Sequence, residues 1–377
     1  MEIQWNDLVP HLMRPPGDGI PTYSAGKGAA ASLQNLLYSR LFTDFIPEQV
    51  DGAWRKTWEW LPQAQIVLLG IPSDTGAGIR RGAAYGPRGV REELYRMREF
   101  QKLAKSKAVV DLGDIYVNPH LLHDSMLSEE QKEKCRVEMY PRAAAAFRAE
   151  LPVSALSQLK AVVAALTARF PHLSLQLIGG DHSVAWPMSE VLSQRYPGTL
   201  GIVQSDAHTD LLASRLGVPY CFGTWSFHAN QLLGGGERMV QVGIRQSGRE
   251  RGHWEGTTGV KQYWASEILA RSANEVIDEI VNHLKKRGIR HLYFSNDIDG
   301  TDEAEAPATG TPAPEGLSSE FLFRLMERLG REFELVANDI VEVAPDLGRN
   351  KKDSRRTCKL AAKYLLTGMR AQLKSSA

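Results

Sequence analysis

Thiols are scarce in this chain. Cys135, Cys221 and Cys358 are the only cysteines among 377 residues. Three widely spaced thiols, an odd number, argue against a disulfide framework and against a thiolate metal site, and they fit a reducing cytoplasm. Net charge is nearly absent as well. Lys plus Arg number 45 against 44 Asp plus Glu, leaving +1, which gives no electrostatic reason to expect nucleic acid or an anionic membrane as a partner. No apolar run approaches the roughly 18–20 residues that span a bilayer. The N-terminus, Met1 to Asn6, lacks the basic and apolar segments of a secretory signal. Internal repeats and low-complexity tracts are missing. The glycine-rich stretches have neither a G-x-G-x-x-G nor a P-loop pattern, which argues against a nucleotide enzyme.

What is present is an ordinary soluble composition, 43% hydrophobic and 24% charged, arranged in a regular alternation after residue 62. Strand-like apolar runs occur at Ile66–Ile71, Ala108–Val117, Leu173–Ile178, Thr199–Gln204, Met239–Ile244, Val260–Ala265, His291–Phe294 and Phe333–Val343. Helical patterns fall between several of them, at Leu156–Phe170, Ala273–Lys286 and Ser319–Arg331. This alternation predicts βαβ units in an α/β fold, three α/β/α layers around a parallel, roughly eight-stranded sheet. Residues 1–61 differ. They carry loop signals at Pro15–Gly19 and Ser24–Gly28 and crowd Trp54, Trp58 and Trp60 into seven residues. They read as an N-terminal arm before a 62–377 catalytic domain. The arm packs its tryptophans on the core or a neighbouring subunit, or else forms a lid. Residues 118–155 make a long connection with a capped surface helix beginning near Leu127.

Chemistry gathers where strands end. Asp206, His208 and Asp210 follow the Thr199–Gln204 run, and Asp297 and Asp299 follow His291–Phe294. Side chains at i, i+2 and i+4 of an extended segment share a face. Four carboxylates converging in this way repel one another unless a cation neutralises them. With an imidazole they form an oxygen-rich divalent-metal site. His182, after the Gly179-Gly180 turn, is a further candidate ligand. Ligands of open α/β sheets bind at the carboxyl ends of strands, which is where all these residues fall.

Gly179-Gly180-Asp181-His182-Ser183, Asp206-Ala207-His208-Thr209-Asp210 and Asp297-Ile298-Asp299-Gly300, in this order, resemble the ureohydrolase family of arginase and agmatinase. The segments around Asp74–Arg88, Ala306–Pro312 and Asp339–Pro345 extend the resemblance over roughly residues 62–370. It implies a pair of metal ions, Mn(II) or Ni(II), held by His182, Asp206, His208, Asp210, Asp297 and Asp299. Asp206 and Asp297 would bridge them, His182 and Asp210 would complete one ion, and His208 and Asp299 the other. Such a pair lowers the pKa of a shared water, so no protein nucleophile is needed. Glu342 resembles the glutamate that receives the substrate guanidinium, a planar cation suited to a carboxylate. Asp210 is carried over as a catalytic residue, and Asp181 reads as an orienter of His182. Relatives of this kind are commonly trimers or hexamers, so the resemblance implies a homo-oligomer.

Two positions depart from the family pattern. Leu212 stands where arginine-hydrolysing members carry an asparagine for the amino-acid head, and a buried polar head finds no partner on leucine. Phe222 stands where many members carry a proton-shuttling histidine. His228 is close in sequence but reads as structural. Phe222, Trp225 and Trp186 are candidate substrate-site aromatics, whose faces attract a guanidinium. The expectation is a cytoplasmic hydrolase that releases urea from a small cationic guanidino substrate, free guanidine first. Agmatine or a guanidino acid are the alternatives within the class, and a non-catalytic regulatory relative is the alternative outside it.

Overall fold

The computed structural model describes residues 5–20 and 27–375, so Ser24–Gly26 of the second loop signal lies outside the described residues. Nine strands form one sheet: β1 (Met13–Arg14), β2 (Ile66–Gly70), β3 (Val109–Ile115), β4 (Ser174–Ile178), β5 (Leu200–Ser205), β6 (Met239–Ile244), β7 (Lys261–Trp264), β8 (His291–Asn296) and β9 (Glu334–Ile340). Their order is β1-β3-β2-β4-β9-β8-β5-β6-β7. Every pairing is parallel except that of β1 with β3. The eight long strands coincide with the apolar runs. β1 adds a ninth at the edge, too short to leave a periodic signal. Every residue of β2, β3, β5 and β6 is buried, as a sheet covered by helices on both faces requires. The architecture is α/β, a parallel sheet between helical layers.

The topology positions the site. β4, β9, β8 and β5 are four consecutive, parallel neighbours at the centre of the sheet. Their carboxyl ends therefore share one edge, and the segments leaving them begin at Gly179, Val341, Asp297 and Asp206. The order breaks here, since β4 and β5 are successive in sequence but separated by β9 and β8. A break of this kind opens the crevice in which α/β proteins bind ligands.

The longest helix, Lys351–Ser375, packs along β9 and the helix Ser319–Glu332. Its Gln372 meets Gln176 of β4 at 2.9 Å, and Gln176 in turn accepts from Asn338 of β9 at 2.8 Å. The N-terminal arm is largely helical, with Trp5–Leu12, Lys27–Leu41 and Val50–Trp58. Trp54 is buried and donates to the Leu112 carbonyl of β3 at 2.8 Å, Trp58 stands edge-on to it at 4.7 Å, and Trp60 lies 5.5 Å from Phe42. The surface helix in the long connection runs Glu129–Met139, capped by Ser128 on the Gln131 N–H.

Candidate active site

The turn after β4 is set by close approach. A Cβ on Gly180 would lie 1.8 Å from the Ser73 carbonyl oxygen, so only glycine fits. Asp181 then accepts from the Ser183 N–H and from the Gly76 N–H, both at 2.9 Å. It staples two loops together. The hydrogen bond that orients the His182 ring comes from elsewhere. His182 Nε2 meets Ser295 Oγ of β8 at 3.0 Å, and Ser295 donates to Asp339 of β9 at 3.0 Å. Asp339 also accepts from the Asn296 N–H at 2.9 Å and from the Tyr293 hydroxyl. The expected orienting role of Asp181 thus passes to Ser295 and Asp339.

The other face of the His182 ring system meets carboxylates. Nδ1 lies 3.1 Å from Asp206, 3.3 Å from Asp210 and 3.2 Å from Asp297. His208 Nδ1 lies 3.5 Å from Asp206 and 3.2 Å from Asp299. Two ligand groups result, His182 with Asp206 and Asp210, and Asp206 with His208 and Asp299; they share Asp206. All six residues are buried except His208, which is partly exposed. The donor set fits divalent cations. His182 Nδ1 is buried amid three carboxylates yet has no hydrogen-bond partner of its own, and four carboxylates with two imidazoles are hard and borderline ligands. The electrostatics agree. Burial pulls the His208 imidazole down, but the charges of Asp299 and Asp206 outweigh it and carry it up to about 12. Burial opposes protonation of His182 too, and its three carboxylates hold it well above the usual imidazole range. Asp210 is raised to about 6, by burial first and then by the charge of Asp206.

Further residues hold the cluster, none of them singled out by the sequence. A buried amide ladder crosses three strands in register. Gln262 donates to Gln241 at 2.8 Å, Gln241 to Gln204 at 2.6 Å, and Gln204 to Asp206 at 2.7 Å. Asp299 accepts from the Ala207 N–H at 3.1 Å and from Thr311 Oγ1 at 2.7 Å. One glutamine in each of three apolar strands was the available signal, since a buried amide in such a strand requires a partner.

Glu342 leaves β9 with φ +59°, and Asp210 has φ +52°. For residues with a Cβ this is a costly conformation that clusters at functional sites. The Glu342 N–H donates to the Gly180 carbonyl at 2.8 Å, and its Oε1 accepts from the His182 N–H at 3.0 Å. Its carboxyl is buried and held well above the carboxylate range, by burial and then by Asp181. The aromatics are each engaged by the protein. Trp225 is buried, lies 4.6 Å from the His182 ring and donates to Asp210 at 3.0 Å. Trp186 stacks on Tyr220 at 5.5 Å. Phe222 is half-buried and carries the Arg215 guanidinium 4.7 Å over its ring. His228 donates through Nε2 to the Pro219 carbonyl, 2.8 Å away, and packs among Trp186, Tyr220 and Phe227. Leu212 is exposed.

Residues 64–368 match the model of the arginase family. The chain belongs to the arginase family. Its sequence is 28% identical to a guanidinobutyrase of Pseudomonas aeruginosa over 293 residues, 76% of this chain and 80% of that protein. It is 30% identical to a mitochondrial agmatinase of Gallus gallus over 288 residues, 74% of this chain and 73% of that protein. The structure superposes on the agmatine ureohydrolase of Thermoplasma volcanium with TM-score 0.63 and 26% identity, covering 83% of this chain and 92% of that one. Arginase-family proteins are binuclear metal-dependent hydrolases of amidine C–N bonds, and this chain is a hydrolase of that class. Among the described residues no helix is long and apolar enough to cross a membrane.

Proposed function

We propose that this arginase-family protein hydrolyses free guanidine to urea and ammonia with two ions, Mn(II) or Ni(II), which would be held by His182, Asp206, His208, Asp210, Asp297 and Asp299. The ions, when bound, supply Lewis acidity and an activated water. The residues do the rest. Glu342 is tethered through Oε1 to the His182 backbone, which fixes its distance from the cluster and leaves Oε2 to pair with the guanidinium. Oε2 faces the loop at Gly310, where a Cβ would stand 3.9 Å away, so that glycine puts no side chain opposite the carboxylate. A buried carboxyl displaced upward gains most from a cationic partner. Asp210, with one oxygen engaged by the Trp225 N–H, has the other to hold a proton on its way to the leaving nitrogen. Phe222 stands where a histidine shuttle would be, so Asp210 and solvent carry protons.

The observation that carries the reading is Glu342, buried, strained and tied to the backbone of a metal ligand. Leu212 directs it toward a substrate without an amino-acid head. Phe222, Trp225 and Trp186 act by narrowing and shaping the site around their protein partners. The names of the relatives keep agmatine and guanidino acids as alternative substrates. A homo-oligomer in the cytoplasm, with residues 1–61 as an arm on a 62–377 catalytic unit, completes the proposal. Urea release from guanidine by the metal-loaded protein tests it.

A further inference from the structure

The mouth of the site is built by three segments. The loop after β2 starts beside the metal cluster, where the Gly76 N–H donates to Asp181 at 2.9 Å. Its middle passes under Phe222 and Arg215. A Cβ on Gly78 would come within 3.3 Å of Phe222 Cζ and 3.7 Å of Arg215 Nη1. Its far end reaches the guanidinium carboxylate, since a Cβ on Gly310 would stand 3.2 Å from the Arg80 carbonyl and 3.9 Å from Glu342 Oε2. Phe222 and Arg215 therefore border a strip of backbone that runs from Asp181, next to the ligand His182, to the loop opposite Glu342.

Arg215 is fixed in that place. It exchanges two backbone hydrogen bonds of 2.9 Å with Val218. The two residues between them, Leu216 and Gly217, have φ +51° and +81°, the geometry of a tight two-residue hairpin turn. The guanidinium Cζ stands 4.7 Å from the Phe222 ring centroid. No carboxylate neutralises it among the described residues, whereas Arg81 on the neighbouring loop is 3.9 Å from Asp74. The hairpin thus sets a positive charge without a carboxylate partner among the described residues beside Phe222.

We propose that Arg215 is a specificity-determining residue that rejects guanidino substrates with a cationic tail. The proposal rests on the reading of the site as a guanidino hydrolase. With the substrate's head on Glu342, an amine-terminated tail would bring a second cation toward Arg215, and specificity by like-charge repulsion follows. Free guanidine brings no second charge. A carboxylate tail would find in Arg215 a forked donor.

Agmatine and guanidinobutyrate differ mainly in the sign of the tail charge, so their ratio of kcat/KM isolates the effect. It is measured on the metal-loaded full chain for the unmodified protein, Arg215→Gln and Arg215→Lys. Arg215→Gln should raise the agmatine-to-guanidinobutyrate ratio by about tenfold, mostly through KM, and Arg215→Lys should hold it within about threefold of the original. The discrimination of the unmodified protein should shrink as salt rises. Where a tailed compound is not turned over, its inhibition constant against guanidine gives the same ratio. An unchanged ratio in Arg215→Gln, at unaltered metal content and Tm, overturns the proposal. Failure of the guanidine reading would show separately, as a larger specificity constant for a tailed substrate in the unmodified protein.

Discussion

Asp210 and Glu342 both occupy the left-handed region, at a cost of about 1–3 kcal/mol each, and both turn a carboxylate toward the cluster. The strain is retained because the surrounding hydrogen bonds, Trp225 on Asp210 and Gly180 with His182 on Glu342, leave no alternative. Glu342→Gln should keep both ions and lower kcat/KM by about 100-fold or more, because the neutral amide keeps the shape and loses the charge. Metal analysis beside steady-state kinetics checks it, and near-unaltered kinetics would remove Glu342 from substrate binding. Asp206→Asn should lose at least one ion and several orders of magnitude in turnover, since Asp206 belongs to both ligand groups. Full metal content with full turnover would contradict the assignment. The ligands were legible because their acids and imidazoles follow apolar strand runs in the motif order of the family, although Asp299 sits in a 3-10 turn and Asp210 in the left-handed region rather than on one extended face. The support of His182 was not. Ser295 stands 113 residues away in sequence, and nothing local marks one strand serine as the partner of a distant ring.

At the scale of elements, the site depends on four adjacent strands whose carboxyl ends coincide, and on what braces them from the side. The glutamine ladder from β7 through β6 to β5 ends on Asp206. Gln204→Met, at similar volume, removes the rung that donates to Asp206. Metal affinity should fall about 10–100-fold, the usual effect of losing an outer hydrogen bond to a ligand, with little change in the sheet. Metal titration and circular dichroism read the two effects, and unaltered affinity would disconnect the ladder from the cluster. The eight long strands announced themselves by continuous apolar runs. The helix Lys351–Ser375 did not, because Lys351, Lys352, Arg355 and Arg356 dominate its first turns. Much of its buried face is small, with Ala361, Ala362 and Ala371, and the opposing glycine permits the close fit. A Cβ on Gly330 would come within 2.3 Å of Ala371.

For the molecule as a whole, metal loading, protonation and stability are one equilibrium. Without cations the carboxylates keep both imidazoles charged, His208 with a pKa of about 12 and His182 well above the usual range. Ions must displace those protons. Affinity should therefore rise with pH, and loading at neutral pH should release protons. Calorimetry in two buffers of different ionisation heat measures the number released, and zero would contradict the charged-imidazole state. Loading to about 1,000 times Kd should add about 4 kcal/mol of stability and raise Tm, and chelation should reverse it. These effects belong to any binuclear arginase-family enzyme. The proposed substrate rests on Glu342, Leu212 and the proposed role of Arg215. The most direct test is urea release from guanidine, agmatine, arginine and guanidinobutyrate by the Mn(II)- and Ni(II)-loaded protein. The account predicts the highest kcat/KM for guanidine, with a weak KM because no tail adds binding energy. A clearly higher kcat/KM for any of the three tailed compounds would contradict it.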